Sequence, residues 1–202
     1  GDPVTAAGHF HQALDFDPMP WRAPAATNAA IRSAATEQGA IFCDVQQRFR
    51  DASSNGIIGW PLMDDHVHFS LRGQALLARC IVEAMTGCPA PVAVSTNAIA
   101  TIPDWRALAD RLGANEYERY AVAHGMRSVF SVPFMRESNP QGYARWDELC
   151  KRLLRGWPLS LQQVAQEWQD PQQHRIVRRP LGGFIGRALI RQQRYAEAEP
   201  LL

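Results

Sequence analysis

The feature that most constrains the fold is a change of character at Thr86-Gly87-Cys88-Pro89-Ala90-Pro91. Before it the chain reads as helix, glycine, short apolar run and second helix. After it the punctuation is helical throughout, with no alternation of apolar and polar residues that would suit a strand. A helix is expected from Thr27 or Asn28, either of which can cap it, to about Gln38, with Gly39 as its stop. Ala40-Ile41-Phe42-Cys43-Asp44-Val45 then reads as a short buried strand. Helix, glycine and apolar strand form half of a β-α-β unit and point to a parallel sheet. Residues 1–24, with Pro3, Pro18, Pro20 and Pro24, are expected to be irregular. Ser70 can cap a helix from Leu71 to Met85, whose apolar residues Leu76, Leu77, Cys80, Ile81 and Met85 would pack on that sheet.

These patterns predict an α/β part over residues 1–86, a Pro-rich linker over 87–103 and an all-α module over 104–202. Within the module, helices are expected near 104–112, 116–131, 141–155, 159–169 and 176–193, with Asn115 and Ser160 as caps. The final stretch, from Gly186 through Tyr195-Ala196-Glu197-Ala198, resembles a tetratricopeptide helix pair. Ala188, Ala196 and Ala198 would lie near the crossing, and Leu189, Tyr195 and Leu202 would fill the seam.

Composition removes several functions. Lys plus Arg number 21 against 20 Asp plus Glu, for a formal net charge of +1. A nucleic-acid footprint would need a basic excess. No apolar run approaches the roughly 18 residues of a membrane span. Gly1-Asp2-Pro3-Val4 carries neither a start Met nor a basic-then-apolar leader, and the last residues stop in mid-pattern, so the sequence reads as an internal fragment. No residue pattern assigns a compartment. Cys43, Cys80, Cys88 and Cys150 form no Cys-x-x-Cys pair. They read as free thiols, with a Cys80–Cys88 link as the alternative.

Chemistry concentrates in Asp65-His66-Val67-His68-Phe69-Ser70, followed by Leu71-Arg72-Gly73. Asp65 and His68 stand three apart, between a Gly/Pro/Trp loop (Gly56 to Pro61) and an apolar helix. An acid at that spacing can hold an imidazole in one tautomer, leaving the other nitrogen to take a proton from a nucleophile. With 11 Asp and 6 His in the chain, about 0.3 such matches arise by chance, so the loop context carries the signal. A solvated loop with a helix-capping network is the plain alternative. His66-x-His68 and His9-x-His11, with Asp64, suggest a zinc site as a third possibility. Asp44 reads as a turn or cap former, Asp15, Asp17 and Arg22 as solvated loop residues, and Trp60 as either pocket wall or packing. No serine lies in a Gly-x-Ser-x-Gly elbow.

The stretch Asp65 to Gly73 resembles the last block of the SGNH (GDSL-type) hydrolases, an Asp-x-x-His followed by a glycine-bearing helix start. Residues 9–85 are similar to the C-terminal part of the subgroup fused to tetratricopeptide repeats. His9-Phe10, Ala13 to Asp17, Arg22-Ala23, Asn28 to Arg32 and Cys43-Asp44-Val45 fall in the expected order. The resemblance implies a flavodoxin-like three-layer αβα domain that hydrolyses small esters or acylated substrates through a Ser-His-Asp mechanism. His68 would be its general base and Asp65 the orienting acid. The serine and oxyanion donors would lie upstream of this sequence, since Gly1-Asp2-Pro3 has proline where Gly-Asp-Ser has serine. No cofactor and no metal are implied, and the helical module would offer a surface for a protein partner. The alternative function is a non-catalytic interaction scaffold with a degenerate hydrolase domain.

Overall fold

The computed structural model describes residues 2–17, 22–174 and 179–202. The described residues form helices and connecting turns, with no strand and no sheet among them. The expected αβα layering is therefore overturned: the fold is all-α. The only trace of β pairing among these residues is a single antiparallel bridge between Met63 and Phe69. The chain divides into two compact units, Gly1–Ala109 and Asp110–Leu202.

The first unit begins with α1 (Pro3–Asp15) and α2 (Ala25–Glu37). The prolines there do not keep residues 1–24 irregular. Pro3 occupies the first helical position, where its missing N–H is no loss. Asp2 caps the helix by accepting from the amides of Val4 and Thr5, each at 3.1 Å. Helix α2 starts two or three residues before the expected caps, behind Pro24. It ends at Gly39, which takes φ +63° while the Ala40 amide reaches back to the Ala35 carbonyl at 2.8 Å.

The run 40–45 is the clearest failure of the strand reading. Residues 40–44 are irregular and Val45 opens α3 (Val45–Asp51). The deciding residue is Asp44, whose carboxylate accepts from the Gln47 amide at 3.0 Å and pairs with Arg32. That cap commits the backbone to a helix, and the run has no neighbouring strand to ladder with. Helix α4 (Leu71–Ala84) follows the loop that carries Asp65 and His68, and α5 (Thr96–Ala100), capped by Ser95, lies inside the Pro-rich stretch. Without a sheet to cover, α4 packs on α3 instead. Phe49, Leu62 and Met63 form a small buried cluster, with Val45, Ile58, Phe69, Leu76 and Leu77 around it.

Helix α6 (Trp105–Arg111) crosses the boundary between the units. The second unit then comprises α7 (Glu116–Val129), α8 (Pro133–Ser138), α9 (Pro140–Arg155), α10 (Leu159–Gln169), α11 (Leu181–Arg191) and α12 (Tyr195–Ala198). Asn115 caps α7, accepting from Tyr117 and Glu118 at 3.0 Å, and Asn139 caps α9. Ser160 does not cap α10, which starts one residue earlier behind Pro158. Helix α7 packs along α9, and α11 touches α7, α10 and α12. Tyr120, Phe130, Trp146, Trp157, Leu161, Trp168, Leu181, Ile185 and Leu189 are buried between them. The Tyr120 ring stands edge-on to Trp157 at 5.2 Å, and its hydroxyl accepts from Gln169 at 2.7 Å.

Of the contacts expected for the terminal helix pair, some are present and some are not. Ala188, Leu189 and Ala198 are buried where α11 meets α12. Tyr195 and Leu202 do not fill the seam: they are 62% and 69% exposed. Ala196 is exposed as well. Helix α11 begins at Leu181 rather than 176, and residues 176–178 lie outside the described ones.

Candidate functional site

The loop 59–70 is built by its own backbone. The Gly59 carbonyl accepts from the amides of Leu62 and Met63, at 2.9 and 3.1 Å. The chain then doubles back: Asp64 N–H donates to the His68 carbonyl at 2.8 Å, and Ser70 N–H to the Leu62 carbonyl at 3.0 Å. Ser70 ties this small hairpin to α4. Its hydroxyl donates to the Pro61 carbonyl at 3.1 Å and accepts from the Gly73 amide at 3.2 Å. Gln74, in the first turn of α4, donates from Nε2 to the Phe69 carbonyl at 3.1 Å. Leu62, Met63 and Phe69 face the buried cluster, with the rings of Phe49 and Phe69 5.2 Å apart. The loop is thus fastened at both ends and packed from beneath.

Gly73 sets how closely the hairpin approaches α4. A Cβ there would sit 2.1 Å from the Leu62 carbonyl oxygen and 3.2 Å from Phe69 Cβ. Only glycine permits that approach without moving backbone. The glycine was visible in the sequence as part of the Asp-to-Gly block. Its partner Leu62, and the carbonyls of Pro61 and Phe69 that the loop uses, were not.

Within this frame Asp65 and His68 meet. Asp65 is buried, and its Oδ1 accepts from the amides of Val67 at 2.7 Å and His68 at 2.6 Å. Its Oδ2 lies 2.7 Å from His68 Nδ1. Burial alone would raise the Asp65 carboxyl. The His68 amide, the His68 ring and the Val67 amide together outweigh it and hold the pKa below the ordinary carboxylate value. An ionised carboxylate can only accept, so Nδ1 of His68 is the donor. In the neutral ring, Nε2 then carries the lone pair. The His68 side chain is 70% exposed, against 2% for that of Asp65, so the ring is held from below and open above. Chemically, this is an imidazole prepared to accept a proton at Nε2.

The other sequence candidates do not join this pair. Asp44 caps α3, as described above. Asp15 accepts from the Ala25 amide at 2.8 Å, and Asp17 and Arg22 are exposed. His11 lies on α1 with its Nδ1 3.3 Å from an Arg50 nitrogen. Among the described residues no three His, Cys, Asp or Glu side chains gather as a metal-binding set, which removes the support for a zinc site built from the His-x-His pairs. Trp60 is half-buried two residues before Leu62. All four cysteines are free, so Cys80 and Cys88 are not linked. Cavities of about 260 and 240 Å³ lie elsewhere, and neither is lined by Asp65 or His68. No described helix is long and apolar enough to cross a membrane.

Compared with family models, with curated proteins and with solved structures, the chain matches none.

Proposed function

We propose that Asp65 and His68 are the acid–base half of an ester hydrolase site of the SGNH kind, acting on a small ester or acylated substrate. His68 Nε2 takes the proton from a serine hydroxyl supplied by residues outside this sequence. Asp65 keeps the imidazole in the required tautomer and offsets its positive charge as it forms. Ser70 is not that nucleophile, since its hydroxyl is engaged at both Pro61 and Gly73. The observation that carries the reading is the burial of an ionised Asp65 beneath an exposed His68, at 2.7 Å. A helix-capping network alone would not need the ring: Ser70 already caps α4, and Asp65 secures its loop through two amides.

The test is hydrolysis of a small chromogenic ester by protein that includes the nucleophile segment. His68→Ala is expected to lower kcat/KM by roughly 10²–10⁴-fold, the range general-base catalysis supplies. Asp65→Asn is expected to cost less, because a positioned ring survives in part without its acid. Retention of most activity by a folded His68→Ala variant would refute the assignment. The absence of strands among the described residues favours the alternative, an interaction scaffold without chemistry. That reading is supported if the wild-type protein carrying the same segment hydrolyses no ester.

A further inference from the structure

The second unit holds an unassigned feature, a cavity of about 260 Å³ between α10 and α11. Arg179, Arg187, Arg191, Glu167, Gln173 and Phe184 line it. Arg187 and Arg191 stand one turn apart on α11, a like-charge spacing that is locally unfavourable. Several other arginines have a carboxylate partner: Arg32 with Asp44, Arg48 with Glu83, Arg127 with Asp147, Arg155 with Glu148 and Arg194 with Glu197. The three arginines of the cavity have no ion pair among the described residues.

The cavity wall is also prepared in advance. Trp168 Nε1 donates to the Arg179 carbonyl at 2.7 Å, and the Arg179 amide donates to His174 Nδ1 at 3.1 Å. Because Nδ1 accepts, His174 donates from Nε2 to the Trp168 carbonyl, at 2.7 Å. The backbone bearing Arg179 is thereby clasped to the end of α10. The His174 ring lies 5.9 Å from Phe184, and the Arg187 guanidinium sits 4.9 Å from the centre of that same Phe184 ring. Stacking on an aromatic ring restricts the guanidinium fork and leaves its N–H edge for a ligand.

Three guanidiniums call for an anion with several oxygens, which phosphate offers in fork-compatible geometry. The single carboxylate, Glu167, narrows the choice. It repels a fully deprotonated anion but accepts a hydrogen bond from one that keeps a hydroxyl. We propose that this cavity binds phosphate carrying a hydroxyl donor: hydrogenphosphate itself, or a small hydroxylated phosphate ester.

The test titrates the 202-residue chain with inorganic phosphate and with sulfate at neutral pH and constant ionic strength. Binding is read from the Arg187 and Arg191 side-chain N–H signals. Sulfate matches phosphate in shape but has no proton to give Glu167. Saturable binding of phosphate is expected, with sulfate weaker by about tenfold, the effect of one charge-assisted hydrogen bond. Arg187→Gln and Arg191→Gln should each weaken phosphate by about tenfold, again one such contact. Arg187→Lys should also lose affinity, since it keeps the charge without the fork, and its folded spectrum excludes unfolding as the cause. Glu167→Ala should bring sulfate level with phosphate. Arg155→Gln, which alters an arginine already paired with Glu148, should leave binding unchanged. Equal response to the two anions in the wild type, no saturation, or an effect of Arg155→Gln as large as that of Arg187→Gln would overturn the proposal.

Discussion

The two units of this chain solve the same problem with very different amounts of core. Among the described residues, five buried apolar side chains belong to Gly1–Ala109 and fifteen to Asp110–Leu202. Neither α1 nor α2 buries a single residue, although both run for 13. Helices of that length are marginal without an apolar face to pack. The second unit instead interleaves Trp146, Trp157, Trp168, Tyr120 and Phe130 across its helices, and closes them with hydrogen bonds from the Gly182 amide to Glu118 and from Gln169 to Tyr120. Yet the candidate chemistry lies in the thinly packed unit. The contrast teaches that a loop carrying a candidate site can be held without a large core. Short-range hydrogen bonds, one close-approach glycine and a cluster of three buried side chains hold residues 59–70 in shape.

Two glycines sharpen that comparison most. Gly73 fixes the loop against α4, while a Cβ on Gly142 would lie 2.3 Å from Phe130 Cδ1 in the core of the second unit. Each change to alanine is expected to cost its own unit about 1–3 kcal/mol, the usual price of overpacking. Gly73→Ala must move backbone, because the obstacle is the Leu62 carbonyl. It should therefore break the Ser70 to Leu62 bond and displace the His68 ring, seen as faster amide exchange at Ser70 than in the wild type. Gly142→Ala meets a side chain, and should lower protection in α7 and α9 while leaving the helix backbones in place. Equal, unselective effects of both on exchange would break the comparison.

Acid gives the next largest effect. A carboxyl whose folded pKa is lowered stabilises the native state above its unfolded pKa, and that contribution is lost as pH falls through the folded value. For Asp65 this places the loss below its ordinary value of 3.8. The Val67 and His68 amide resonances should therefore shift together on acidification in that range. Asp65→Asn should remove the transition. In the second unit Asp147, lowered chiefly by its hydrogen bond from Lys151 and then by Arg127, should titrate in the same direction at the surface of α9 without disturbing a loop. A transition at the Val67 and His68 amides centred above the ordinary value would contradict the assignment of Asp65 as an ionised acceptor.

The smallest effect tests packing by its absence. A Cβ at Gly125, within α7, meets nothing within 4 Å. Gly125→Ala should raise the stability of the second unit by about 0.5–1 kcal/mol through helix propensity alone, measured as a shift in denaturant midpoint. A loss of stability there would mean that α7 is packed more tightly than its open face indicates.

Legibility in the sequence followed the range of the forces involved. Local signals carried far: Asn115 and Ser70 as caps, Gly39 as a stop, Asp65 and His68 at a spacing that lets a ring reach a carboxylate. Signals that depend on distant partners did not. The run 40–45 has a strand's composition, but strand identity needs a neighbour to ladder with; residues 40–44 stay irregular and the Asp44 cap starts a helix at Val45. The same limit hid Leu62, whose carbonyl shapes the site, and the clasp that ties Arg179, ahead of α11, to Trp168 of α10 through His174. Pro3 misled for another reason: a proline that breaks a helix interior also opens one well, and Asp2 beside it was the missing cue.

The central claim is that buried Asp65 fixes the His68 ring with its proton on Nδ1, leaving Nε2 to act as a base. It is tested most directly by long-range proton–nitrogen correlation of the His68 ring at alkaline pH, where histidine is neutral. The account predicts one tautomer, protonated at Nδ1, which gives way to a mixture in Asp65→Asn. A His68 ring protonated at Nε2, or a mixture of tautomers unchanged by Asp65→Asn, would contradict it.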